Sequence, residues 1–123
     1  MSHFKSLAAL DATVFQELLA SLSEPRAVAG VYRKFVESAN SFIRELHDQE
    51  IAARVETLHT LKGSAAMMGA TSMAKLAADL QAQAESVQVA QAMQALHAEL
   101  MRFRTAAAAQ LLALGASLDI SEQ

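Results

Sequence analysis

Apolar residues recur along the chain at spacings of three and four, which is the pattern of amphipathic α-helices. Start and stop signals divide this pattern into five predicted helices. No sustained alternation of apolar and polar residues occurs, so we predict no β-sheet. The five helices are expected at about residues 10–22, 25–46, 49–68, 71–85 and 90–114.

Proline, glycine and short polar residues mark the predicted helix ends. Pro25 fits the first turn of the second helix, where its missing N–H costs nothing, with Ser23 or Glu24 as the N-cap. Asp48 is expected to cap the third helix, and Gly69 to end it. These signals predict short connections between consecutive helices.

The last two helices complete an all-α architecture. Thr71 or Ser72 is expected to cap the fourth helix, and Gly115 to end the fifth. Four long helices with short connections predict an antiparallel up-down-up-down four-helix bundle, with the short N-terminal helix across one end. No linker or repeat divides the chain, so we expect one domain, with its core bundle at about 24–114 and a frayed tail at about 116–123.

Composition narrows the classes of function. Of 123 residues, 53% are hydrophobic and 19% are charged, which disfavours a disordered chain. Ten basic against 13 acidic residues give a net charge of −3 with no concentrated basic face, so nucleic-acid binding is not expected. The absence of cysteine excludes thiol chemistry. Without a signal peptide or a long apolar run we expect no membrane partner and a cytoplasmic location.

One stretch of the third predicted helix contains residues that helix stability alone does not explain. Gly63 lies in mid-helix, where glycine costs about 0.5–1 kcal/mol relative to alanine. His59, Lys62, Gly63 and Ala66 share one face, and rotation along the helix puts His59 and Gly63 on the solvent side of its apolar stripe. A helix–helix contact at Gly63 is one explanation. The other is an exposed imidazole beside bare backbone, which another surface can approach.

This arrangement favours a nucleophilic histidine. Neutral imidazole has a free lone pair at physiological pH and can form a covalent intermediate. Lys62 can attract the oxygens of an incoming phosphoryl group. No glycine loop that cradles phosphates and no kinase motif occurs in the chain, so the phosphoryl group is expected to arrive from another protein.

The run His-x-Leu-Lys-Gly-Ser-Ala that begins at His59, followed by Gly69-Ala70, resembles the signature of histidine-containing phosphotransfer (HPt) domains. These domains carry phosphoryl groups between aspartates of response-regulator receiver domains in multistep two-component phosphorelays. The resemblance implies the four-helix bundle, phosphorylation of His59 on Nε2, no autokinase activity, and no cofactor of its own, since Mg²⁺ belongs to the partner receiver. It implies receiver domains and a hybrid sensor kinase as partners.

The resemblance also assigns roles to neighbouring residues. Lys62 would stabilise the phosphoryl group, and Gly63 would leave space for the receiver. Gln81, 22 positions after the histidine, would accept from Nδ1–H and orient the ring, leaving Nε2 free. The receiver would dock on a rim that includes Gly63, Ser64, Ala66 and Met67.

Other interpretations remain open from sequence. A non-catalytic helical adaptor could bind a receiver or another signalling partner through the His59 face. Glu56 and His59 have the Glu-x-x-His spacing of bundle di-iron sites, but the second such pair is missing. His3, His47 and His97 have no Lys-Gly partner and are read as structural. The chain could be freestanding or a module of a larger kinase, and we expect a monomer because the active face must stay open.

Overall fold

Five α-helices and one short 3₁₀ turn follow one another in the computed structural model, which describes residues 8–118. No strand occurs in this part of the chain, which confirms the all-α prediction. The helices are α1 (Ala12–Leu22), α2 (Pro25–Glu45), α3 (Ile51–Met68), α4 (Thr71–Ala82) and α5 (Val89–Ala113), with the 3₁₀ turn at Leu46–Asp48.

The four longer helices form an antiparallel bundle. α3 packs between α2 and α4, and α5 closes the ring by packing against the same two helices. α3 and α5 therefore occupy opposite corners. An aromatic cluster lies inside the bundle, where Tyr32 and Phe35 each meet Phe103 edge to face at ring distances of 5.1 and 5.3 Å. This geometry is favourable for aromatic pairs and joins α2 to α5.

α1 is held against the turn between α3 and α4. The Asp11 N–H donates to the Gly69 carbonyl at 2.7 Å, and the buried Phe15 ring lies 6.3 Å from Tyr32. Gly69 has a φ of +80°, and a Cβ there would lie 3.0 Å from the Cβ of Val14. Both the left-handed backbone and the close approach of α1 therefore require glycine at this turn.

Some predicted caps were wrong. For α2 the prediction holds in part: the helix begins with Pro25 and its N-cap is Glu24, although the Glu24 side chain makes no capping hydrogen bond. The alternative cap, Ser23, instead ends α1. Asp48 does not cap α3, because its carboxylate lies 2.9 Å from Nδ1 of His47 and α3 begins only after Glu50.

The predicted boundaries of the fourth helix and of the tail also need correction. Ala70, not Thr71 or Ser72, is the N-cap of α4, and the Ser72 hydroxyl donates to Glu99 on α5 at 2.6 Å. α4 ends at Ala82 instead of about residue 85, since a turn with backbone bonds to the Gln83 carbonyl follows. The predicted frayed tail begins too early, since Ala116 and Leu118 are buried in the hydrophobic core. Residues 119–123 and His3 lie outside the described residues.

The hydroxyl of Tyr32, the chain's one tyrosine, is buried and has no hydrogen-bond partner in the described residues. Burial raises the pKa of Tyr32 from 10.0 to about 12. Between these two values the unfolded chain loses the phenol proton while the folded chain keeps it. Ionisation in the unfolded state therefore lowers the free energy of unfolding as the pH rises from 10 towards 12.

We predict that Tyr32→Phe stabilises the protein by about 1 kcal/mol at neutral pH, because it removes an unpaired buried hydroxyl. The variant should also lose less stability than the wild type above pH 10. Urea unfolding of both proteins at a series of pH values measures the two effects. Identical stability curves across the alkaline range would show that the hydroxyl is not held protonated by the fold.

Candidate functional site

α3 positions His59 by burying the opposite side of the same helix. Leu58, Leu61 and Ala65 are at most 4% exposed and belong to the core cluster, whereas His59 is exposed. At about 100° per residue, the buried row faces away from His59. The imidazole is therefore presented to solvent by a helix whose rotation is fixed by the core, as the sequence predicted.

The surface beside His59 is open. Gly63 is exposed, and a Cβ built on it would meet no heavy atom within 4 Å. Packing against a neighbouring helix therefore does not explain this glycine. Ala66 and Met67 are also exposed, and Ser64 is half-buried towards α2. The structure thus places all four residues of the predicted docking rim on or beside the His59 face.

Lys62 lies on the α4 side of His59. It is half-buried and continues the row of Ile51 and Val55 along α3. Its ammonium makes no ion pair or hydrogen bond within the described part of the chain. The charge is therefore not neutralised by a neighbour and can interact with an anion that approaches His59.

Gln81 lies in the last full turn of α4. It is half-buried and lines a cleft with Ile51 and Val55, so it faces α3 on the same side of His59 as Lys62. No hydrogen bond joins Gln81 to His59 within residues 8–118. The role of Gln81 in orienting the ring stays a prediction.

The remaining described histidines lie elsewhere. His47 pairs with Asp48 at the end of α2, and His97 is exposed on α5, which occupies the corner opposite α3. No group of three or more His, Asp or Glu residues suited to a metal ion occurs among the described residues. His59 is the histidine that combines exposure, an open neighbouring backbone and a nearby unpaired cation.

The sequence model of the Hpt domain family matches residues 30–117, which is 88 of the 123 residues. The chain belongs to the Hpt domain family. The matched range contains α3, α4, α5 and most of α2, and therefore the whole His59 face of this Hpt domain.

Membership of the family implies histidine phosphotransfer in a phosphorelay, and Hpt domains interact with receiver domains. Curated proteins and solved structures give no significant match to the chain. Within the described residues, no helix is long and apolar enough to cross a membrane.

The sequence interpretation missed the contribution of α2 to this face. A groove of about 230 Å³ separates α2 from the C-terminal half of α3 beside the docking rim, and Lys34 and Ser38 of α2 line it. Val31 and Phe35 of α2 also line the groove. Lys34 and Ser38 are four residues apart and share one face of α2, next to these two apolar residues. This pattern indicates a groove only once α2 is placed against α3.

We predict that Gly63→Ala raises stability by about 0.5–1 kcal/mol, because alanine favours the helix and has free space here. The same methyl group should slow phosphotransfer from a receiver, because it occupies the approach to His59. Denaturant unfolding and the initial transfer rate measure the two effects separately.

Gly30→Ala is the matched control. Gly30 is also within a helix, and its added Cβ would make only an ordinary contact, 3.9 Å from the Arg33 guanidinium. This variant should be stabilised with an unchanged transfer rate. Equal transfer rates in both alanine variants would show that a partner does not use the space at Gly63.

Proposed function

We propose that this Hpt domain is a phosphorelay intermediate that accepts a phosphoryl group from a receiver aspartate onto His59 and passes it to another receiver aspartate. The observation that carries the proposal is the exposed His59 imidazole on a core-anchored helix, beside open backbone at Gly63 and the unpaired Lys62 ammonium. An internal kinase site is not required, since a receiver aspartyl phosphate is already an activated acyl phosphate.

The transfer conserves atoms and charge. The Nε2 lone pair of neutral His59 attacks phosphorus in line with the aspartyl oxygen, the P–N bond forms, and the P–O bond to the carboxyl group breaks. The aspartate leaves as a carboxylate, and the ring keeps its proton on Nδ1. The reverse displacement, by the carboxylate of a second receiver, regenerates neutral imidazole. Positioning and charge stabilisation supply most of the catalysis in such a reaction.

The neighbouring side chains support this chemistry in different ways. The positive charge of Lys62 stabilises the negatively charged phosphoryl oxygens during transfer. The side-chain carbonyl of Gln81 accepts from Nδ1–H in this proposal and holds the tautomer in which Nε2 is free. Gly63, Ser64, Ala66 and Met67 form the docking rim, and the Mg²⁺ that assists transfer binds to the receiver.

The finer features of the relay belong to the same proposal. A hybrid sensor kinase supplies the first phosphorylated receiver, the relay operates in the cytoplasm, and the Hpt domain acts as a monomer with the His59 face open. A non-catalytic adaptor that binds through this face is the alternative, because the same open surface suits binding without transfer.

The decisive experiment mixes the purified protein and Mg²⁺ with a panel of phosphorylated receiver domains. The wild type should acquire acid-labile, base-stable phosphate, as expected for a P–N bond, and His59→Gln should acquire no more than the protein-free control. Because His59 is exposed, the substitution should change stability by only about 0.5 kcal/mol.

Two results would contradict this account. Loss of several kcal/mol of stability in His59→Gln would make the histidine a structural residue. Tight receiver binding by the wild type and by His59→Gln, without phosphate on either, would establish the adaptor function instead.

Lys62→Ala should slow transfer by about 10- to 150-fold, because a charge-assisted hydrogen bond to the phosphoryl group contributes about 1.5–3 kcal/mol. Stability should fall by less than about 1 kcal/mol, since the ammonium makes no contact that the fold requires. Rapid-quench measurement of phosphate on His59 gives the rate.

Lys75→Ala removes the same charge from α4, where the Lys75 ammonium pairs with Asp79 at 2.7 Å. This control should transfer at the wild-type rate. If the two alanine variants slow transfer equally, the effect is one of net charge and Lys62 has no specific role.

A further inference from the structure

The solvent face of α5 carries large apolar side chains that no other helix covers. Met101 and Leu112 are 36% and 72% exposed. At about 100° per residue they lie about 20° apart around α5 and point away from its buried row. That row consists of Leu96, Leu100, Phe103, Ala107 and Leu111. Single exposed apolar residues are ordinary, but several on one helix face indicate an interaction surface.

Met101 and Leu112 belong to a seven-residue repeat. Coiled coils place apolar residues at alternating spacings of three and four along the seam where two helices meet. On α5 these positions form an uncharged row, which we call the α5 seam: Ala98, Met101, Thr105, Ala108 and Leu112, ending at Gly115. Ala108 is half-buried and the others are exposed. A second helix can therefore follow the seam along its length.

The N-terminal half of the α5 seam contains a groove lined by Ala98, Met101, Arg102, Thr105 and Ala106. The first four of these have the spacing i, i+3, i+4 and i+7. Four residues at this spacing form the hole that receives a side chain from a facing helix in knobs-into-holes packing. Leu112 projects from the same seam about 15 Å away from the centre of the hole. One helix face thus carries both a hole and an exposed side chain that can fill such a hole, which makes the face complementary to itself.

An antiparallel pair of chains uses this complementarity. When the two-fold axis lies midway between Thr105 and Ala108, Leu112 of each copy is level with Met101 of the other, and Thr105 with Ala108. The large side chains then pack together at both ends, and the small ones in the middle allow the helices to approach closely. A contact of this isologous kind closes at two copies.

The charges beside the seam are compatible with this pairing. Arg102 borders the seam and pairs with Glu99 of its own chain at 2.8 Å. In the antiparallel arrangement the two Arg102 side chains lie about 13 Å apart along the helices, beyond the Debye length of about 8 Å at physiological ionic strength. Arg104 is half-buried on the α2 side of the seam. The seam itself therefore contains no charge that association would bury.

We propose that two copies of this chain associate through their α5 seams in antiparallel orientation. The association buries Leu112 of each copy in the hole beside Met101 of the other. Since α5 and α3 occupy opposite corners of the bundle, the His59 faces of both copies stay open, and each chain still reacts on its own. This inference goes beyond the proposed function, and neither depends on the other.

The length of the seam determines how strong the association is. From Ala98 to Gly115 the seam spans about 25 Å, or about two and a half heptads. Two single helices in contact over this length bury less than the roughly 1,600 Å² of a standard interface. We therefore expect a weak dimer, with a Kd between about 1 µM and 1 mM.

Sedimentation equilibrium at chain concentrations from about 10 µM to 1 mM measures this association. The average mass of the wild type should rise with concentration towards that of two chains. Leu112→Asp should raise the Kd at least about 30-fold, as expected for an interface hot spot that occurs twice in the dimer. Met67→Asp is the matched control, because Met67 is 71% exposed but lies on α3, and this variant should associate like the wild type.

Engineered thiols test the orientation, since the chain contains no cysteine. Thr105→Cys and Ala108→Cys proteins are treated with a short bis-maleimide cross-linker, separately and as a mixture. The mixture should form more covalent dimer than either protein alone, because only the mixture places two thiols at the same level across the seam. Stronger cross-linking of each variant to itself would overturn the antiparallel arrangement.

Circular dichroism melting checks the fold of each variant, and Met101→Asp replaces Leu112→Asp if the latter does not fold. A wild-type mass of one chain up to about 1 mM, or equal weakening by Leu112→Asp and Met67→Asp, would overturn the seam.

Phosphotransfer separates this inference from the proposed function. Leu112→Asp should accept phosphate from a receiver at the wild-type rate per chain, and a slower rate would contradict the independence of the two His59 faces. Absence of transfer to a wild type that associates as expected would overturn the proposed function and leave the seam intact.

Discussion

The packing of α3 on the bundle core determines which residues of this helix face solvent. Leu58, Leu61 and Ala65 are buried among α2, α4 and α5, and this row fixes the rotation of the helix. His59 then has one direction available, outward into solvent. This rigidity favours reaction with a phosphoryl group on another protein, because the nucleophile loses little conformational entropy when the two proteins bind.

The same helix must be stable while its outer face stays uncovered. Gly63 weakens α3 locally, and Met67 leaves apolar surface in water, so neither residue helps the isolated fold. The buried side of α3 and its C-terminal end supply the stabilising contacts. At that end Gly69 allows a tight turn, and Val14 of α1 packs against this glycine. These contacts lie away from the exposed face of α3 and offset the free-energy cost of leaving that face uncovered.

Much of this arrangement could be predicted from sequence, because helix periodicity and glycine C-caps are local signals. The five helices and the exposure of His59 follow from the spacing of apolar residues, and the end of α3 follows from the glycine at position 69. The missed caps depended on contacts between distant or competing groups: the Asp48 carboxylate pairs with His47, and Ser72 bonds to Glu99 on α5. The groove between α2 and α3 could not be predicted from sequence either, since it exists only once the two helices are packed together.

Return transfer of the phosphoryl group tests whether this Hpt domain is a relay intermediate. The protein is loaded by one phosphorylated receiver, purified, and mixed with a second, unphosphorylated receiver and Mg²⁺, while mass spectrometry locates the phosphate. We expect phosphate on His59 first, followed by its loss from His59 and its appearance on the receiver aspartate. Phosphate that forms on another histidine, or that stays on His59 with every receiver, would contradict the assignment of this domain as a relay intermediate.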